Sequence, residues 1–313
     1  MIEIEKLTKR FSSKIAVDDV SFRVVPGEVL GFLGPNGAGK STTMKMITGF
    51  LAPTSGQIKI FNQDIAKHAI AAKRLIGYLP EGAPSYGDMT VLHYLQFIGQ
   101  VRGYRGKELQ QRVSEMIQTI NIADVAHQKI DTLSKGYKRR VGLAQAMLHD
   151  PKVLILDEPT DGLDPNQKQQ VRTLIKDLSK DKIVIISTHI LEEVSAVCSR
   201  ALIIARGKIV ADGRPSELEA MSRYCHAITL ELEGGSSDQS GHARQILAAL
   251  PCVTDVEVDE TNANAMTLIA VEGENIVAPV MECIQQHSWP IRDFHVERGR
   301  LDEVFRRITQ EVA

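Results

Sequence analysis

At 313 residues the chain is too long for one typical domain and fits two, and its 43% apolar content is enough to build sizeable cores. A formal net charge of −2, with no long Lys/Arg run, argues against a general nucleic-acid surface. The longest apolar runs, such as Val153 to Leu156, Ile183 to Ile186 and Ala201 to Ala205, are strand-sized, well short of the roughly 20 residues that span a bilayer. The start, Met1-Ile2-Glu3-Ile4-Glu5-Lys6, shows no apolar signal region. Cys198, Cys225, Cys252 and Cys283 are widely spaced with no C-x-x-C, the pattern of inert thiols in a reducing compartment. The expectation is a cytoplasmic chain that touches a membrane only through a partner.

Residues 1 to 30 alternate apolar and polar, with turn signals at Ser12-Ser13 and Pro26-Gly27, and read as β-strands and hairpins. Phe11 in this segment has two readings. It can be core, or it can be a platform on which adenine stacks, an interaction worth about 1–3 kcal/mol by analogy with base–aromatic stacking. The apolar strand Val29-Leu30-Gly31-Phe32-Leu33 then runs into Gly34-Pro35-Asn36-Gly37-Ala38-Gly39-Lys40-Ser41-Thr42, followed by the helix-like Thr43-Met44-Lys45-Met46-Ile47. This is G-x-x-x-x-G-K-[ST] in the strand–loop–helix setting that the pattern needs. Glycines allow successive backbone N–H groups to converge on an anion, and the helix N-terminus adds free N–H groups and a positive dipole end. Lys40 supplies a cation for the β- and γ-phosphates, and the Ser41 hydroxyl can sit on Mg²⁺. Residues 34 to 42 are therefore expected to bind a nucleoside triphosphate.

Pro53-Thr54-Ser55-Gly56 and Gln57 to Ile60 read as a turn and a strand, residues 66 to 74 as a helix, and Leu75 to Leu79 as a strand stopped by Pro80. Helical spacing returns over Val91 to Val101 and Leu109 to Ile120. Leu133-Ser134-Lys135-Gly136-Tyr137 precedes another helical pattern, with Ser134 as its N-cap and Gly136 permitting close backbone approach. Val153-Leu154-Ile155-Leu156 ends in Asp157-Glu158, a buried parallel strand that delivers carboxylates at its carboxyl end. Asp157 can hold Mg²⁺, directly or through water. Glu158 is placed to orient and deprotonate an attacking water. A third apolar strand, Ile183 to Ile186, leads into Ser187-Thr188-His189, and His189 is a candidate for contacting the γ-phosphate.

In this order the motifs resemble the ATPase subunit of an ABC transporter over about residues 1–220: phosphate loop, signature segment Leu133 to Tyr137, Walker-B strand into Asp157-Glu158, D-loop Gly162-Leu163-Asp164, and switch His189. The resemblance implies an α/β P-loop NTPase core with a helical subdomain, ATP hydrolysis, ATP and Mg²⁺ as ligands, and Phe11 as the adenine stacker. It implies a homodimer whose sites are shared. Lys40, Ser41, Asp157, Glu158 and His189 of one copy would face Ser134, Gly136 and Asp164 of the other. It implies transmembrane permease partners, met by the residues after Pro80 through the helical stretch near Tyr94 to Tyr104. Tyr78-Leu79-Pro80-Glu81, the Leu-Ser-Lys-Gly-Tyr signature and Gly162-Leu163-Asp164-Pro165-Asn166-Gln167 resemble a bacterial exporter branch that includes gliding-motility-type ATPases and those assisting copper-site assembly in nitrous oxide reductase. Two departures stand out. Lys135 and Tyr137 replace the usual Gly and Gln of the signature. Glu81 stands where most relatives carry a Gln, which would make it a Mg²⁺-side and coupling residue.

From about Ser222 the pattern changes. Ala227 to Leu232 (strand), Gly234-Gly235-Ser236-Ser237 (loop), His242 to Leu250 (helix), and Val253 to Val258 and Ala265 to Val271 (strands around Asn262-Ala263-Asn264) come first. Ile276 to His287 (helix), Ile291 to Val296 (strand) and Leu301 to Ile308 (helix) follow. The order β-α-β-β-α-β predicts a small α+β, ferredoxin-like accessory domain over 222–313, after an ATPase domain over 1–221. It carries no catalytic constellation, and dimerisation or regulation is the expected role. Two other functions compete with transport: a soluble ATPase acting on DNA or ribosomes, and a nucleotide-binding regulator without turnover. The first usually shows two ATPase cores or a long coiled-coil insertion, and neither is present. The intact Asp157-Glu158 and His189 speak against the second.

Overall fold

The computed structural model describes residues 1–82, 86–233, 237–259, 261, 262 and 264–311. They form two compact units, Met1–Gly213 and Arg214–Glu311. The division falls ahead of the expected boundary after residue 221. The reason is local: the short helix that follows Gly213 packs against the last helix of the chain.

The first unit runs β1 (Ile2–Phe11), β2 (Lys14–Val24), β3 (Val29–Leu33), α1 (Lys40–Ile47), β4 (Ser55–Ile60), β5 (Gln63–Asp64), α2 (Ala69–Arg74), β6 (Ile76–Leu79), α3 (Val91–Val101) and α4 (Gly106–Thr119). It continues with α5 (Lys135–Met147), β7 (Val153–Asp157), α6 (Pro165–Leu178), β8 (Ile183–Thr188), α7 (Leu191–Val197), β9 (Arg200–Ala205) and β10 (Lys208–Gly213). Strands β2-β1-β4-β5 make an antiparallel sheet, and β10-β9-β3-β8-β7-β6 make a six-stranded sheet that is parallel apart from β10.

The six-stranded sheet separates two cores. Its strands β3, β7 and β8 are buried along their whole length, which explains their unbroken apolar runs. Side chains alternate across the sheet. Leu30, Phe32, Ile155, Ile183 and Ile185 join the core shared with β1, β4 and α1. Val29, Leu154, Leu156, Val184 and Ile186 join the core shared with α3, α4 and α5. In α4 the stripe Leu109, Val113, Ile117 recurs every fourth residue and is buried on this second side. Helix α5 lies against β6 without a spacer: a Cβ on Gly77 would come 2.1 Å from the Ala146 carbonyl, so only glycine fits there. Beside that contact Gln145 Nε2 donates to the Tyr78 carbonyl at 2.9 Å.

Register fixes where the parallel strands end. Leu33 pairs with Thr188, Ser187 with Asp157, and Leu156 with Leu79. Four strands thus finish at one level and release the segments beginning at Gly34, Glu158, His189 and Pro80 along one edge. Ligands in open α/β sheets bind at such an edge.

The second unit contains α8 (Pro215–Glu219), β11 (Ile228–Leu232), α9 (Ser237–Ala248), β12 (Val253–Val258), β13 (Ala265–Ala270), α10 (Val277–His287), β14 (Ile291–Val296) and α11 (Leu301–Glu311). Its antiparallel sheet has the order β12-β13-β11-β14, the split β-α-β-β-α-β arrangement anticipated from the strand and helix order. One face carries the core Ile228, Leu230, Met266, Leu268, Val280 and Ile284. Gly234, Gly235 and Ser236 of the expected loop, and Ala263 of the expected turn, lie outside the described residues. All four cysteines are free; Cys283 is buried and the others are half-buried. Burial pushes the Cys198 thiol up to about 12, which keeps it protonated and unreactive at neutral pH. Among the described residues no helix is long and apolar enough to cross a membrane.

Candidate active site

The loop after β3 takes its shape from glycine. Gly37 and Gly39 have φ of +80° and +111°, and a Cβ on Gly39 would sit 2.5 Å from the Ala16 carbonyl. Gly39 is the N-cap of α1 and has no side-chain capping bond, so the first N–H groups of that helix face the loop. Lys40 is only 7% exposed. Its Nζ donates to the Gly34 carbonyl at 2.6 Å and the Pro35 carbonyl at 3.2 Å. Burial pulls the Lys40 ammonium below its usual range, against the attraction of Glu158, Asp157 and Glu81.

A cleft of about 460 Å³ opens over this loop. Phe11, Asn36, Gly37, Gly39, Lys40, Ser41, Thr42, Glu81, Asp157 and Glu158 all line it, with Lys14 and Ala16. Its volume is in the range of small-molecule sites, which run about 300–1,000 Å³. Phe11 is 47% exposed at this wall. Of its two readings, a core residue is excluded and a stacking surface is available. Gly34 and Pro35 act through the carbonyls that hold Lys40, and Ala38, buried, accepts from Gly207 N at 2.9 Å.

Asp157 is buried at the end of β7. By alternation it shares the sheet face of Ile155, the face that packs on α1. The next residue, Glu158, has φ +55°, a left-handed conformation uncommon outside glycine. Its N–H donates to the Ser187 carbonyl at 2.8 Å. This turn swings the Glu158 carboxylate to His189, whose Nδ1 lies 2.8 Å from Glu158 Oε1. A carboxylate oxygen accepts, so the proton sits on Nδ1 and Nε2 is left facing outward from the pair. His189 has a 58% exposed side chain, while that of Glu158 is 15% exposed.

Ser41, Asp157 and Glu81 offer oxygen donors in one cleft. Among the described residues no group of three or more His, Cys, Asp or Glu forms a metal cage. That donor set fits Mg²⁺, which takes one or two carboxylates and fills its remaining positions with water and phosphate oxygens.

Ser134, Gly136 and Asp164 do not line the cleft. Ser134 caps α5, its hydroxyl accepting from Tyr137 N at 3.4 Å, and Asp164 caps α6, accepting from Gln167 N at 2.9 Å. The two caps belong to one patch: Gly136 abuts Gln167 and Leu163, and Lys135 pairs with Asp161 at 2.8 Å above Gly162.

Three functional side chains escaped the sequence reading. Lys14 lines the cleft. Glu193, buried on α7, accepts from the Thr160 and Thr188 hydroxyls and so joins the segments that follow Glu158 and precede His189. Arg139, buried on α5, donates to three carbonyls beside the carboxylates. The last two sit beside other charged residues, Lys138 and Arg140 for Arg139 and Glu192 for Glu193, so local spacing gave no signal for them.

A family model described as ABC transporter matches residues 17–161. The chain is 39% identical over 237 residues to the uncharacterized ABC transporter ATP-binding protein YxlF of Bacillus subtilis (strain 168), covering 75% of this chain and 79% of that protein. It is 31% identical over 310 residues to the linearmycin resistance ATP-binding protein LnrL of the same strain, covering 99% of this chain and 98% of that one. A solved ATP-binding subunit of an ABC transporter superposes with a TM-score of 0.66 at 28% identity, over 71% of this chain and 92% of its own length. The chain belongs to the ATP-binding subunits of ABC transporters, and it binds and hydrolyses ATP.

Proposed function

We propose that two copies of this chain bind Mg-ATP between them, head to tail, and drive a membrane exporter of the branch its motif variants resemble. The observation that carries this reading is the division of the site. Lys40, Ser41, Asp157, Glu158 and Glu81 share one cleft with His189 at its edge, whereas Ser134, Gly136 and Asp164 form a separate patch on the same unit. A second copy presents that patch to the first copy's nucleotide.

In this reading Phe11 stacks on adenine, and the N–H groups of residues 37 to 42 with Lys40 hold the phosphates. When bound, Mg²⁺ at Ser41, Asp157 and Glu81 neutralises charge on the phosphate oxygens. Glu158 orients a water in line with the γ-phosphate and takes its proton. His189, fixed through Nδ1, offers Nε2 to the γ-phosphate. Closure of the partner's Ser134 and Gly136 excludes water and completes the electrostatic stabilisation of the equatorial oxygens.

The permease partner is proposed from the surface beyond Pro80. Tyr86 is 59% exposed, its ring edge-on to Phe97 at 5.5 Å and tilted on Tyr94 at 6.3 Å. Val101, Phe50 and Ile70 are also exposed on this unit. Apolar side chains left open in this way mark contact surfaces. The name of LnrL, a resistance protein, favours outward transport. The chain then works at the cytoplasmic face of the membrane, held there by the permease. The test is purification from detergent-solubilised membranes with the chain tagged. An integral membrane protein that copurifies and stimulates ATP hydrolysis is the expected result. Recovery of ribosomes or DNA-bound protein instead would refute the transport reading.

A further inference from the structure

Arg139 is a whole guanidinium placed inside the protein, 6% exposed, between Lys138 and Arg140 on a helix that turns apolar from Val141 onward. Burying such a charge is costly unless it is well paired. Among the described residues no carboxylate side chain is hydrogen-bonded to it. Nη1 donates to the Pro80 carbonyl at 2.9 Å, and Nη2 donates to the carbonyls of Asp157 and Glu158. Nε is buried with no partner among the described residues. The three acceptors are backbone oxygens at the points where β6 and β7 leave the sheet, and buried carbonyls there need a donor. All three belong to segments that carry cleft residues: Glu81 follows Pro80, and Asp157 and Glu158 are themselves in the cleft wall.

The Glu158 peptide is thereby gripped from both sides. The Ser187 carbonyl holds its N–H and Arg139 holds its C=O, across a residue whose φ of +55° is disfavoured for a glutamate. Removing either grip frees the turn to relax, and the carboxylate loses its place at His189. An apolar side chain of the same size would fill the space as well. It would not supply the donors.

We propose that Arg139 is a positioning residue for the hydrolytic step: it fixes the turn that presents Glu158 and ties that turn to the Pro80-Glu81 segment. The proposal rests on Glu158 being the base, as read above. Five chains test it: wild type, Arg139→Met, Glu158→Gln, the double variant, and Arg139→Lys as the conservative exchange. ATP affinity is read by titration with a fluorescent ATP analogue, and kcat and KM by phosphate release. Arg139→Met should lower kcat by about 10- to 100-fold and leave KM and nucleotide affinity within about twofold. Arg139→Lys should recover part of the loss, because an ammonium reaches fewer of the three carbonyls. In the Glu158→Gln background Arg139→Met should add nothing, since the group it positions is already gone. Equal losses in both backgrounds, a parallel fall in nucleotide affinity, or an unchanged kcat would each overturn the proposal. Glu158→Gln alone with normal turnover would overturn the base assignment itself, and that is read before any Arg139 comparison. If Arg139→Met does not fold, Arg139→Lys decides: a several-fold lower kcat at unchanged affinity supports the role, and an unchanged kcat refutes it.

Discussion

His189 Nδ1 lies 2.8 Å from Glu158 Oε1, although the two residues are 31 positions apart and follow two neighbouring strands. The contact exists because β7 and β8 end one residue apart, Asp157 opposite Ser187 with Thr188 beyond it, so that Glu158 and His189, the first residues past each strand, meet at one corner of the cleft. General bases act by reach first and acidity second.

That contact separates two kinds of loss. Glu158→Gln keeps the size of the side chain and removes its basicity, so ATP should still bind while turnover falls by about 10²- to 10⁴-fold. An ATP-bound dimer should then accumulate and elute early in sizing chromatography with Mg-ATP. Lys40→Ala should behave differently, lowering nucleotide affinity itself by tenfold or more on the order of a lost charge-assisted contact. Retention of full affinity by Lys40→Ala would show that its bonds to Gly34 and Pro35 are its whole role.

Glu81 puts a carboxylate in the same cleft as Lys40 and Asp157. One unit-charge pair at about 4 Å is worth roughly 4 kcal/mol at an effective dielectric near 20, so an acid here both attracts Mg²⁺ and repels the γ-phosphate. Glu81→Gln should shift the Mg²⁺ concentration needed for half-maximal hydrolysis. Glu81→Ala should reduce transport more than it reduces the hydrolysis of the isolated subunit. Transport and partner-stimulated hydrolysis are measured with the membrane partner reconstituted and basal hydrolysis with the subunit alone, and no change in any of them would make Glu81 an ordinary loop acid.

Every residue that lines the cleft precedes Gly213, where the first compact unit ends. A chain cut after Gly213 should therefore fold and bind ATP with near-native affinity. Circular dichroism and nucleotide titration check this. A folded truncation that has lost ATP binding would give the second unit a direct part in the site.

His149 gives a pH signature. Its Nε2 is 3.0 Å from the Ile76 carbonyl, which can only accept, and Nδ1 is buried with no partner among the described residues. Burial first, then the Arg102 charge, lowers its pKa from the ordinary 6.5 to about 4. Between those values the unfolded chain binds a proton that the folded chain refuses. The neutral imidazole's contribution is full above about pH 6.5 and is lost as pH falls through about 4. The urea midpoint should drop less between pH 7 and pH 4.5 in His149→Gln than in wild type. Identical drops would refute the assignment.

Much of this was legible because the informative residues are consecutive. The phosphate loop, Asp157-Glu158 and the strand before His189 each announce themselves within a few residues, and unbroken apolar runs marked the doubly covered strands. The β-α-β-β-α-β order of the second unit was legible for the same reason. Positioning was not. That Arg139 reaches Pro80 depends on how α5 lies on β6, and that Glu193 ties Thr160 to Thr188 depends on where α7 returns to the sheet. Neither distance has a signature in local spacing. The end of the first unit was misplaced by a few residues because α8 looks like part of a continuing chain and belongs by packing to α11.

The close seating of α5 on β6 has a mechanical result. Ala146 rests on Gly77, Gln145 holds Tyr78, and Arg139 holds Pro80, so the helix is tied to the strand and its exit at three points. Ser134, at the start of the same helix, is only about 7.5 Å along the axis from Arg139, at about 1.5 Å per residue. No loop lies between them to absorb a displacement. If two copies meet as proposed, a push on the exposed start of α5 would reach the peptide that carries Glu158, and the surface that one copy offers its neighbour would then set the readiness of its own cleft.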